Sequence, residues 1–413
     1  MARAGSRSAR LVFFTSIIFL IGCKSTPDKD NVDYYSRPLP DGQLALERIE
    51  PWDHPDFSVG FGDRESLSEA IDQSLDYYAK PSSRGYFPYD RITHDQAVAS
   101  LEALGDLLDS GIDGYALNRA ITERFDVYRS VGCDGRGTVL FTGYCEPIFK
   151  GSLTPTDEFR FPLYRLPEDL VKGPEGKCMG RRLPDGSLTP YATRAEIDGR
   201  GFLRGRDLEL VWLASELDAY VVHVQGSARI ELPDGRQMRV GYAGKTDRPY
   251  RSLGQKLIDD GEIPADDLSL PAIREFFAKH PSAVERSLHH NESYVFFTET
   301  ADGPYGSLNA KVTAMRSIAT DKSVFPRGAM AFIDTDLPKT RPNGSLESRP
   351  YRGFVLDQDT GGAIRSAGRC DVFIGTGPQA ERLAGHTKAE GQLYYLFLKE
   401  DEQPIPSTAA AAP

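Results

Sequence analysis

Apolar residues recur every three or four positions in three stretches between residues 67 and 128, a spacing that places them on one side of an α-helix. The three stripes comprise Leu67, Ile71, Leu75 and Tyr78; Leu101, Leu104, Leu107 and Leu108; and Leu117, Ile121, Phe125 and Tyr128. The second stripe follows Thr93, a residue type that favours helix N-caps. Because a globular helix needs such a stripe to dock on its core, the pattern predicts three packed helices, the last over about 116–129.

After Gly132 the pattern changes to short, β-branched segments that are typical of strands. The strand candidates are 138–144, 219–224, 228–232, 237–242, 294–298 and 330–333. Pro233-Asp234-Gly235 predicts a tight turn that joins two of them into a hairpin. Short helices are predicted over 208–217 and 271–279. Since strands and helices do not alternate regularly, the pattern favours a mainly β fold with added α-helices.

The N-terminus has the pattern of an export signal. Three arginines precede an apolar run over 11–22 that is too short to span a bilayer, as in a signal peptide. The run ends in Leu20-Ile21-Gly22-Cys23, which resembles a bacterial lipobox and implies cleavage before Cys23 and lipidation of its sulfur; an ordinary secretory signal is the alternative. Lys24 follows where an aspartate would favour the inner membrane. We therefore expect an outer-membrane lipoprotein that faces the periplasm, or, in a Gram-positive cell, one on the outer face of the plasma membrane.

Composition limits the possible functions. The chain has 413 residues, of which 40% are hydrophobic, so it can bury a core and form two or three domains of about 150 residues each. The formal net charge is -11. This charge argues against nucleic-acid binding, whose affinity depends on Lys and Arg that neutralise phosphates. The proline-rich, polar composition of residues 24–58 predicts a tether, and the composition of residues 401–413 predicts a disordered tail.

Metal and disulfide signals are weak. The chain has no CxxC or HExxH motif and its seven histidines are scattered, so we expect no metal and no other cofactor. An oxidising compartment would permit disulfides among Cys133, Cys145, Cys178 and Cys370. Four cysteines allow three complete pairings, and the sequence does not choose among them.

Two carboxylates lie one short loop apart near the C-terminus. Asp359 precedes Gly361-Gly362, where the missing Cβ atoms permit a tight bend or the close approach of a ligand. Asp371 opens an alternating apolar run that predicts a strand. An acid at the start of a strand, beside a glycine turn, can line a groove. A capping aspartate and a hairpin would produce the same pattern.

Four motifs occur in one order along the chain. They are Phe141-Thr142-Gly143-Tyr144-Cys145-Glu146-Pro147, with Phe161-Pro162-Leu163-Tyr164-Arg165 downstream; Val224-Gln225-Gly226-Ser227; Tyr242-Ala243-Gly244-Lys245, leading into Tyr250-Arg251-Ser252-Leu253-Gly254; and residues 319–328, which continue into 359–377. Together, over about residues 130–398, they resemble the membrane-bound lytic murein transglycosylase A family.

The resemblance implies a fold that composition does not. One domain would be a double-psi β-barrel carrying three aspartates, Asp321, Asp359 and Asp371. A second β-rich domain would be inserted into it, with the glycan in a groove between them. The implied organisation is 1–23 signal peptide and lipobox, 24–58 tether, 59–147 helices and the first part of the barrel, 148–288 inserted domain, 289–400 barrel continued, and 401–413 tail.

The resemblance also implies a reaction. Peptidoglycan strands would be cut at the β-1,4 bond between N-acetylmuramic acid and N-acetylglucosamine without water, leaving 1,6-anhydro ends. Ordinary glycoside hydrolysis needs two carboxyl groups. Here the C6 hydroxyl is already on the sugar, so one carboxyl can act first as acid and then as base. By motif position that group is Asp371, and Asp359 is its polar partner or else a turn cap, while a structural role is expected for Asp321.

Further residues are expected to contact the glycan or to act only as barrel and hairpin residues. They are Thr142, Gly143, Tyr144, Glu146, Gln225, Ser227, Tyr242 and Lys245. Glu146 is also the main rival for the acid. The chain departs from the family pattern at Cys145, where a second tyrosine is common, and at Arg365-Ser366, where a basic residue and glycine are usual. The alternative functions are a two-carboxylate muramidase and a non-catalytic peptidoglycan-binding lipoprotein held at the membrane by its lipid.

Overall fold

The computed structural model describes residues 34–173 and 177–400. The predictions for the signal peptide, for lipid attachment at Cys23, for the first part of the tether and for the tail lie outside these residues. Among the residues that are described, no helix is long and apolar enough to cross a bilayer.

The helices and strands of this region have the following bounds. The helices are α1 Arg64–Tyr78, α2 His94–Asp109, α3 Gly114–Arg124, α4 Glu216–Gln225, α5 Leu253–Asp259, α6 Leu270–Lys279, α7 Val284–Leu288 and α8 Pro378–Ala384. The strands are β1 Leu46–Ile49, β2 Phe125–Ser130, β3 Val139–Glu146, β4 Ile148–Ser152, β5 Phe161–Tyr164, β6 Leu170–Lys172, β7 Cys178–Arg182, β8 Leu188–Thr189, β9 Glu209–Leu213, β10 Ser227–Glu231, β11 Gln237–Lys245, β12 Val295–Thr300, β13 Ser317–Ala319, β14 Met330–Thr340, β15 Leu346–Asp359, β16 Arg369–Thr376 and β17 Lys388–Leu398.

The first two predicted helices are confirmed as α1 and α2. Thr93 is the N-cap of α2, and its side chain accepts a hydrogen bond from the backbone N–H of Gln96. The apolar stripes face inwards, because Leu67, Leu101 and Leu104 are fully buried. They belong to the same hydrophobic cluster as the strands of the large sheet, so these helices cover that sheet.

The third predicted helix ends early. Helix α3 stops at Arg124, and the prediction that it continues to 129 is wrong because Phe125–Ser130 forms β2. Strand β2 pairs with both β1 and β17. Phe125 and Val127 are buried two positions apart, as the period of a strand requires. The apolar spacing of residues 125–128 also fits a helix, but the pairing of this segment with distant strands decides for a strand.

The large sheet closes into a barrel. Its strand order is β1-β2-β17-β14-β15-β13-β16-β3, and an additional pairing of β17 with β3 closes a ring of six strands. Two of the strand pairs in the ring are parallel: β13 pairs with β15, and β16 pairs with β3. The predicted mainly β fold with a barrel is confirmed. Closure also leaves no open edge among these six strands.

Strands β4 to β12 lie between β3 and β13 in the sequence and form separate sheets. Six of them pair in the order β12-β11-β10-β4-β9-β5, and β6, β7 and β8 form a small third sheet. The predicted hairpin is confirmed as β10 and β11, with its turn at Pro233-Asp234-Gly235. Strand β12, expected to resume the barrel near Tyr294, instead pairs with β11. The barrel therefore resumes at β13.

Two predictions between 208 and 224 are wrong. The segment expected to be a helix contains β9, and the segment expected to be a strand lies in α4. A continuous apolar run such as Ala219–Val224 fits a buried helix as well as a buried strand, so its periodicity does not decide between them. The residues that cap the helix were a stronger local signal than the periodicity. Ser215 accepts a hydrogen bond from the N–H of Asp218 at the N-terminus of α4, and Gly226 ends the helix with a φ of 79°.

Candidate active site

Asp371 lies on β16, one of the six strands of the closed barrel. Its neighbours across the strands are Ala319 on β13 and Thr142 on β3. The side chain is half-buried, and one carboxyl oxygen, Oδ1, is inaccessible to solvent and has no hydrogen-bond partner among the described residues. The Thr142 hydroxyl donates a hydrogen bond to the carboxyl group. Thr142 thus fixes the carboxyl while Oδ1 stays unpaired.

The surroundings of Asp371 favour its protonated form. Burial raises its pKa to about 6, because removing water disfavours the carboxylate. The negative charge of Asp359 acts in the same direction, whereas the Thr142 hydrogen bond and the Arg369 guanidinium oppose it. A carboxyl group with this pKa can both donate and accept a proton near neutral pH.

Asp359 is the last residue of β15, and its orientation is fixed by backbone donors. Its Oδ1 accepts hydrogen bonds from the N–H groups of Ser307 at 2.8 Å and Thr360 at 2.7 Å. Burial raises its pKa, and these two hydrogen bonds oppose the rise because they stabilise the carboxylate. Burial raises the pKa of Tyr144 and the nearby charge of Asp359 raises it further, while the Tyr144 hydroxyl has no hydrogen-bond partner among the described residues.

Asp321 connects two loops. Its Oδ1 accepts from the N–H and hydroxyl of Ser323, at 3.0 and 2.6 Å, and its Oδ2 accepts from the N–H of Ser366 at 2.8 Å. Both oxygens therefore have partners within the protein. This arrangement supports a structural role for Asp321.

Sequence reasoning missed a buried ion pair beside the three aspartates. Asp357 is fully buried, forms an ion pair with Lys322, and accepts hydrogen bonds from Thr320 at 2.8 Å and Tyr395 at 2.7 Å. Burial raises the pKa of Asp357 and lowers that of Lys322, and each partner opposes the shift of the other. The spacing of Asp357 could have singled it out in the sequence. It precedes Asp359 by two positions, and residues two apart on a strand share a face.

The candidates on β3 have different surroundings. The Tyr144 ring packs against Phe373, with 5.2 Å between ring centroids, and is close to Asp359. At Gly143 an added Cβ would lie 2.9 Å from the Ala384 backbone, so a glycine is needed for α8 to pack there. The structure therefore brings Thr142 and Tyr144 next to the acids, while Gly143 has a packing reason of its own.

Glu146 is buried between the two large sheets. It is 1% exposed, and its carboxylate contacts Arg229 at 3.2 Å and Arg239 at 3.6 Å and accepts from the Thr376 hydroxyl at 2.9 Å. The two arginines lie on β10 and β11, and Thr376 lies on the barrel strand β16. The carboxylate thus connects the inserted sheet to the barrel and has partners already, which does not favour Glu146 as the acid.

The remaining candidates lie on the inserted region. Gln225 accepts a hydrogen bond from the Cys145 N–H at 3.1 Å, and Ser227 is buried at the start of β10. Tyr242 on β11 is 51% exposed. Burial lowers the pKa of Lys245, and the nearby charge of Arg365 lowers it further. Lys245 is therefore close to the loop between Asp359 and Asp371, as is Tyr250, a residue not singled out as a candidate, which lies beside Gly362.

The two departures from the family pattern have structural consequences. Cys145 is buried, so its side chain is not offered to a ligand. Ser366 has a φ of 65°, a conformation that favours glycine. Its hydroxyl donates to the backbone oxygen of Arg37 and its N–H donates to Asp321, and these bonds hold the residue in that conformation.

The described residues contain no group of three or more His, Cys, Asp and Glu side chains that could hold a metal ion. The four described cysteines, Cys133, Cys145, Cys178 and Cys370, are unpaired. The arrangement at Asp371 provides a carboxyl group with a pKa of about 6 and, nearby, the carboxyl group of Asp359 oriented by backbone donors. Such a site can carry out acid–base chemistry on a neutral substrate.

Two family models match this chain. A family model described as the MltA specific insert domain matches residues 140–298, and a 3D domain model matches residues 316–397. The membrane-bound lytic murein transglycosylase A of Escherichia coli strain K12 is 32% identical over 274 residues, which cover 66% of this chain and 69% of that protein. The identity and the matched length show that the two proteins are relatives.

Solved structures extend the likeness to the fold. A membrane-bound lytic murein transglycosylase from Agrobacterium tumefaciens has a TM-score of 0.71 at 28% identity, covering 86% of this chain and 98% of that one. Escherichia coli MltA with bound chitohexaose has a TM-score of 0.66 at 26% identity, covering 88% and 95%. With both family models matched in order and the fold shared over most of its length, the chain belongs to the membrane-bound lytic murein transglycosylase A family.

Proposed function

We propose that this lytic transglycosylase is an outer-membrane lipoprotein that cuts peptidoglycan glycan strands with Asp371 as its only acid and base. The observation that carries the proposal is the unpaired, buried Oδ1 of a carboxyl group whose pKa is about 6. Such a group is partly protonated near neutral pH, so it can donate a proton and later accept one.

In the first step, protonated Asp371 donates its proton to the glycosidic oxygen between N-acetylmuramic acid and N-acetylglucosamine. The bond from that oxygen to C1 of the muramic acid breaks, and the N-acetylglucosamine leaves as an alcohol. Positive charge develops at C1. The carboxylate of Asp359, held by the Ser307 and Thr360 N–H groups, is the negative group available to stabilise that charge.

In the second step, the Asp371 carboxylate accepts the proton of the muramic acid C6 hydroxyl. The C6 oxygen forms a bond with C1, which closes the 1,6-anhydro ring and returns Asp371 to its protonated form. No water is consumed, because the nucleophile is part of the substrate. Intramolecular attack of this kind can lower the barrier by roughly 7–11 kcal/mol when the geometry is favourable.

The glycan is proposed to contact Thr142 and Tyr144 on the barrel side and Lys245 and Tyr250 on the inserted side. The closeness of Lys245 and Tyr250 to the Asp359–Asp371 loop supports this division. The Escherichia coli relative solved with chitohexaose, a chain of β-1,4-linked amino sugars, supports a glycan as the ligand. Gly143, Glu146, Gln225, Ser227 and Tyr242 stay predictions as substrate contacts.

Membrane association follows from the family, whose curated members are named membrane-bound. The outer membrane is the finer proposal. It is supported by Leu20-Ile21-Gly22-Cys23 and by Lys24 after the cysteine. A lipid-anchored chain would place the barrel next to the peptidoglycan layer. Labelling cells with a radioactive fatty acid and fractionating their membranes tests this, and a Cys23→Ala variant should lose the label.

The reaction is tested by mass spectrometry of fragments released from purified sacculi. The protein is the chain from Lys24, which retains every described residue, compared with its Asp371→Asn variant. Anhydro-muropeptides from the first and none from the second are expected. Reducing ends, heavier by one water, would indicate a two-carboxylate muramidase, and a folded protein that binds sacculi without releasing fragments would indicate a binding protein only.

A further inference from the structure

The inserted region contains a cavity that takes no part in the proposed reaction. Its volume is about 330 Å³, and it lies between β5, β9, α4 and the single-turn π-helix Ala195–Gly199. None of its lining residues is among those placed at Asp371. Its size falls at the lower end of the range for small-molecule sites.

The inner part of the cavity is acidic. Asp198 and Glu216 line it with side chains about four-fifths buried, and His289 lies between them and the more exposed Glu285. The Nε2 atom of His289 is inaccessible to solvent and has no hydrogen-bond partner among the described residues, although it lies 3.6 Å from Oε1 of Glu216. The contact is too long for a hydrogen bond, so His289 does not satisfy the Glu216 carboxyl group, whose side chain is partly exposed in the cavity.

The internal cations do not neutralise this part completely. Arg194 lies 3.5 Å from Asp198, but its guanidinium also donates to the backbone oxygens of Asn291 and Ser293. Burial, together with the charges of Asp198 and Glu285, raises the pKa of Glu216 to about 7, and the charge of Arg194 opposes this rise. An ammonium group placed here would relieve the repulsion between these carboxylates.

Two exposed arginines also line the cavity. Arg160 and Arg204 line the cavity and are exposed, and neither guanidinium is within 4.0 Å of a carboxylate of the described residues. The wall of the cavity also includes Phe161 and Trp212. The lining thus combines buried acids, two exposed guanidinium groups and apolar surface, and the exposed Glu285 is a further acid.

We propose that this cavity binds a small zwitterion whose ammonium group contacts Glu216 and whose carboxylate contacts Arg160 or Arg204, with an aliphatic chain between them. Two sources share this chemistry, a free amino acid and the diamino acid at the end of a peptidoglycan stem peptide. The second source rests on the proposed function, because the stem peptide is attached to the strand that would be cut. Helix α4 runs from Glu216 at the cavity to Gln225, which contacts β3 at Cys145, so both sites lie on one connected element.

Calorimetric titration of the chain from Lys24 tests the proposal with defined probes. The probes are 6-aminohexanoate, hexylamine and hexanoate, which separate the two charges, and a stem tripeptide ending in a diamino acid, with or without acetylation of its side-chain amine. Saturable binding of 6-aminohexanoate, weakened at least about tenfold when either charge is missing, is expected. Tighter binding of the free-amine tripeptide would identify the stem peptide as the natural ligand. Tighter binding of 6-aminohexanoate, the free amino acid among the probes, would identify a free amino acid instead.

Two variants locate the binding. Glu216→Gln removes a partly buried acid from the cavity and Arg204→Ala removes an exposed cation, and Glu231→Gln is the matched control because Glu231 is exposed on β10. Each cavity variant should weaken 6-aminohexanoate binding at least about tenfold, and the control should not. Affinity should also rise with pH through about 7 in the wild type, as Glu216 loses its proton among Asp198, Glu285, Arg194 and His289, and not in Glu216→Gln.

Absence of saturable binding, or binding unchanged in both cavity variants, would overturn the proposal. The outcome is separate from that of the reaction. Release of anhydro-muropeptides without zwitterion binding would reject the cavity proposal alone, and binding without release would reject the proposed reaction alone. Glu216→Gln should leave cleavage of peptide-free glycan strands unchanged, since the cavity contains none of the residues placed at Asp371.

Discussion

Replacing Asp371 with Asn should abolish turnover while leaving the protein folded and able to bind glycan. The Asn side chain has almost the same shape and can still accept a hydrogen bond from Thr142, but it cannot transfer a proton. General acid–base catalysis contributes about 10²–10⁴-fold to a rate, and here one group is proposed to serve both proton transfers. We therefore expect kcat to fall by at least about 10²-fold.

The raised pKa gives this prediction a second readout. At pH 7 a carboxyl group with a pKa of about 6 is protonated in about one molecule in ten, compared with about one in 1,600 for the ordinary value of 3.8. Because Asp371 must begin protonated, kcat/KM should fall about tenfold for each pH unit above about 6. Any residual activity of Asp371→Asn should lack this limb.

The same pKa also predicts an effect on stability. The folded-state pKa of about 6 exceeds the unfolded value of 3.8, so the folded state binds more protons between these values. The contribution of this carboxyl group therefore becomes destabilising as pH rises from 3.8 to about 6 and stays so above it. Asp371→Asn should unfold at the same or a higher temperature than the wild type at pH 7.5, and the difference should vanish near pH 3.

The assay combines fragment release from sacculi, glycan binding and thermal unfolding on the same preparations. Asp336→Asn is the matched control, because Asp336 is exposed on β14 and distant in sequence from the site. Turnover within tenfold of the wild type, with anhydro ends, would refute the role of Asp371 as the acid. Loss of glycan binding or a marked fall in unfolding temperature would mean that Asp371 holds the barrel together instead.

Three further changes test the surroundings of the site. Asp359→Asn removes a charge that raises the pKa of Asp371, so the descending limb of the pH–rate profile should move to lower pH; an unmoved limb would contradict their coupling. Glu146→Gln leaves Arg229 and Arg239 without a buried counter-charge and should lower the free energy of unfolding by roughly 2 kcal/mol, as denaturant titration would measure. This is less than the roughly 3–5 kcal/mol typical of a fully buried pair, because both arginines are partly exposed. Gly306→Ala would place a Cβ 2.6 Å from the backbone oxygen of Gln358, and the strain should cost about 1–3 kcal/mol and reduce turnover, whereas full activity would show that the loop can shift.

Local signals in the sequence predicted the elements whose residues act on near neighbours. The apolar stripes of α1 and α2 and the turn between β10 and β11 depend on residues within a few positions of each other, so they survive in the fold. The same reasoning failed at Phe125–Ser130 and at 208–225. There the pairing of strands and the burial of whole segments decided between two structures that fit the local pattern equally well.

The candidate site divides in the same way. The sequence by itself determined the order of the motifs and the family they resemble, and through that resemblance it predicted Asp371 as the acid and Asp359 as its polar partner. Only the tertiary structure decided what surrounds each group, because the partners are distant in the chain: Asp359 is held by Ser307, 52 positions away, and Glu146 contacts Arg229, 83 positions away. Burial and charge at those distances raise the pKa of Asp371 and give Glu146 its partners, and a linear pattern does not contain them.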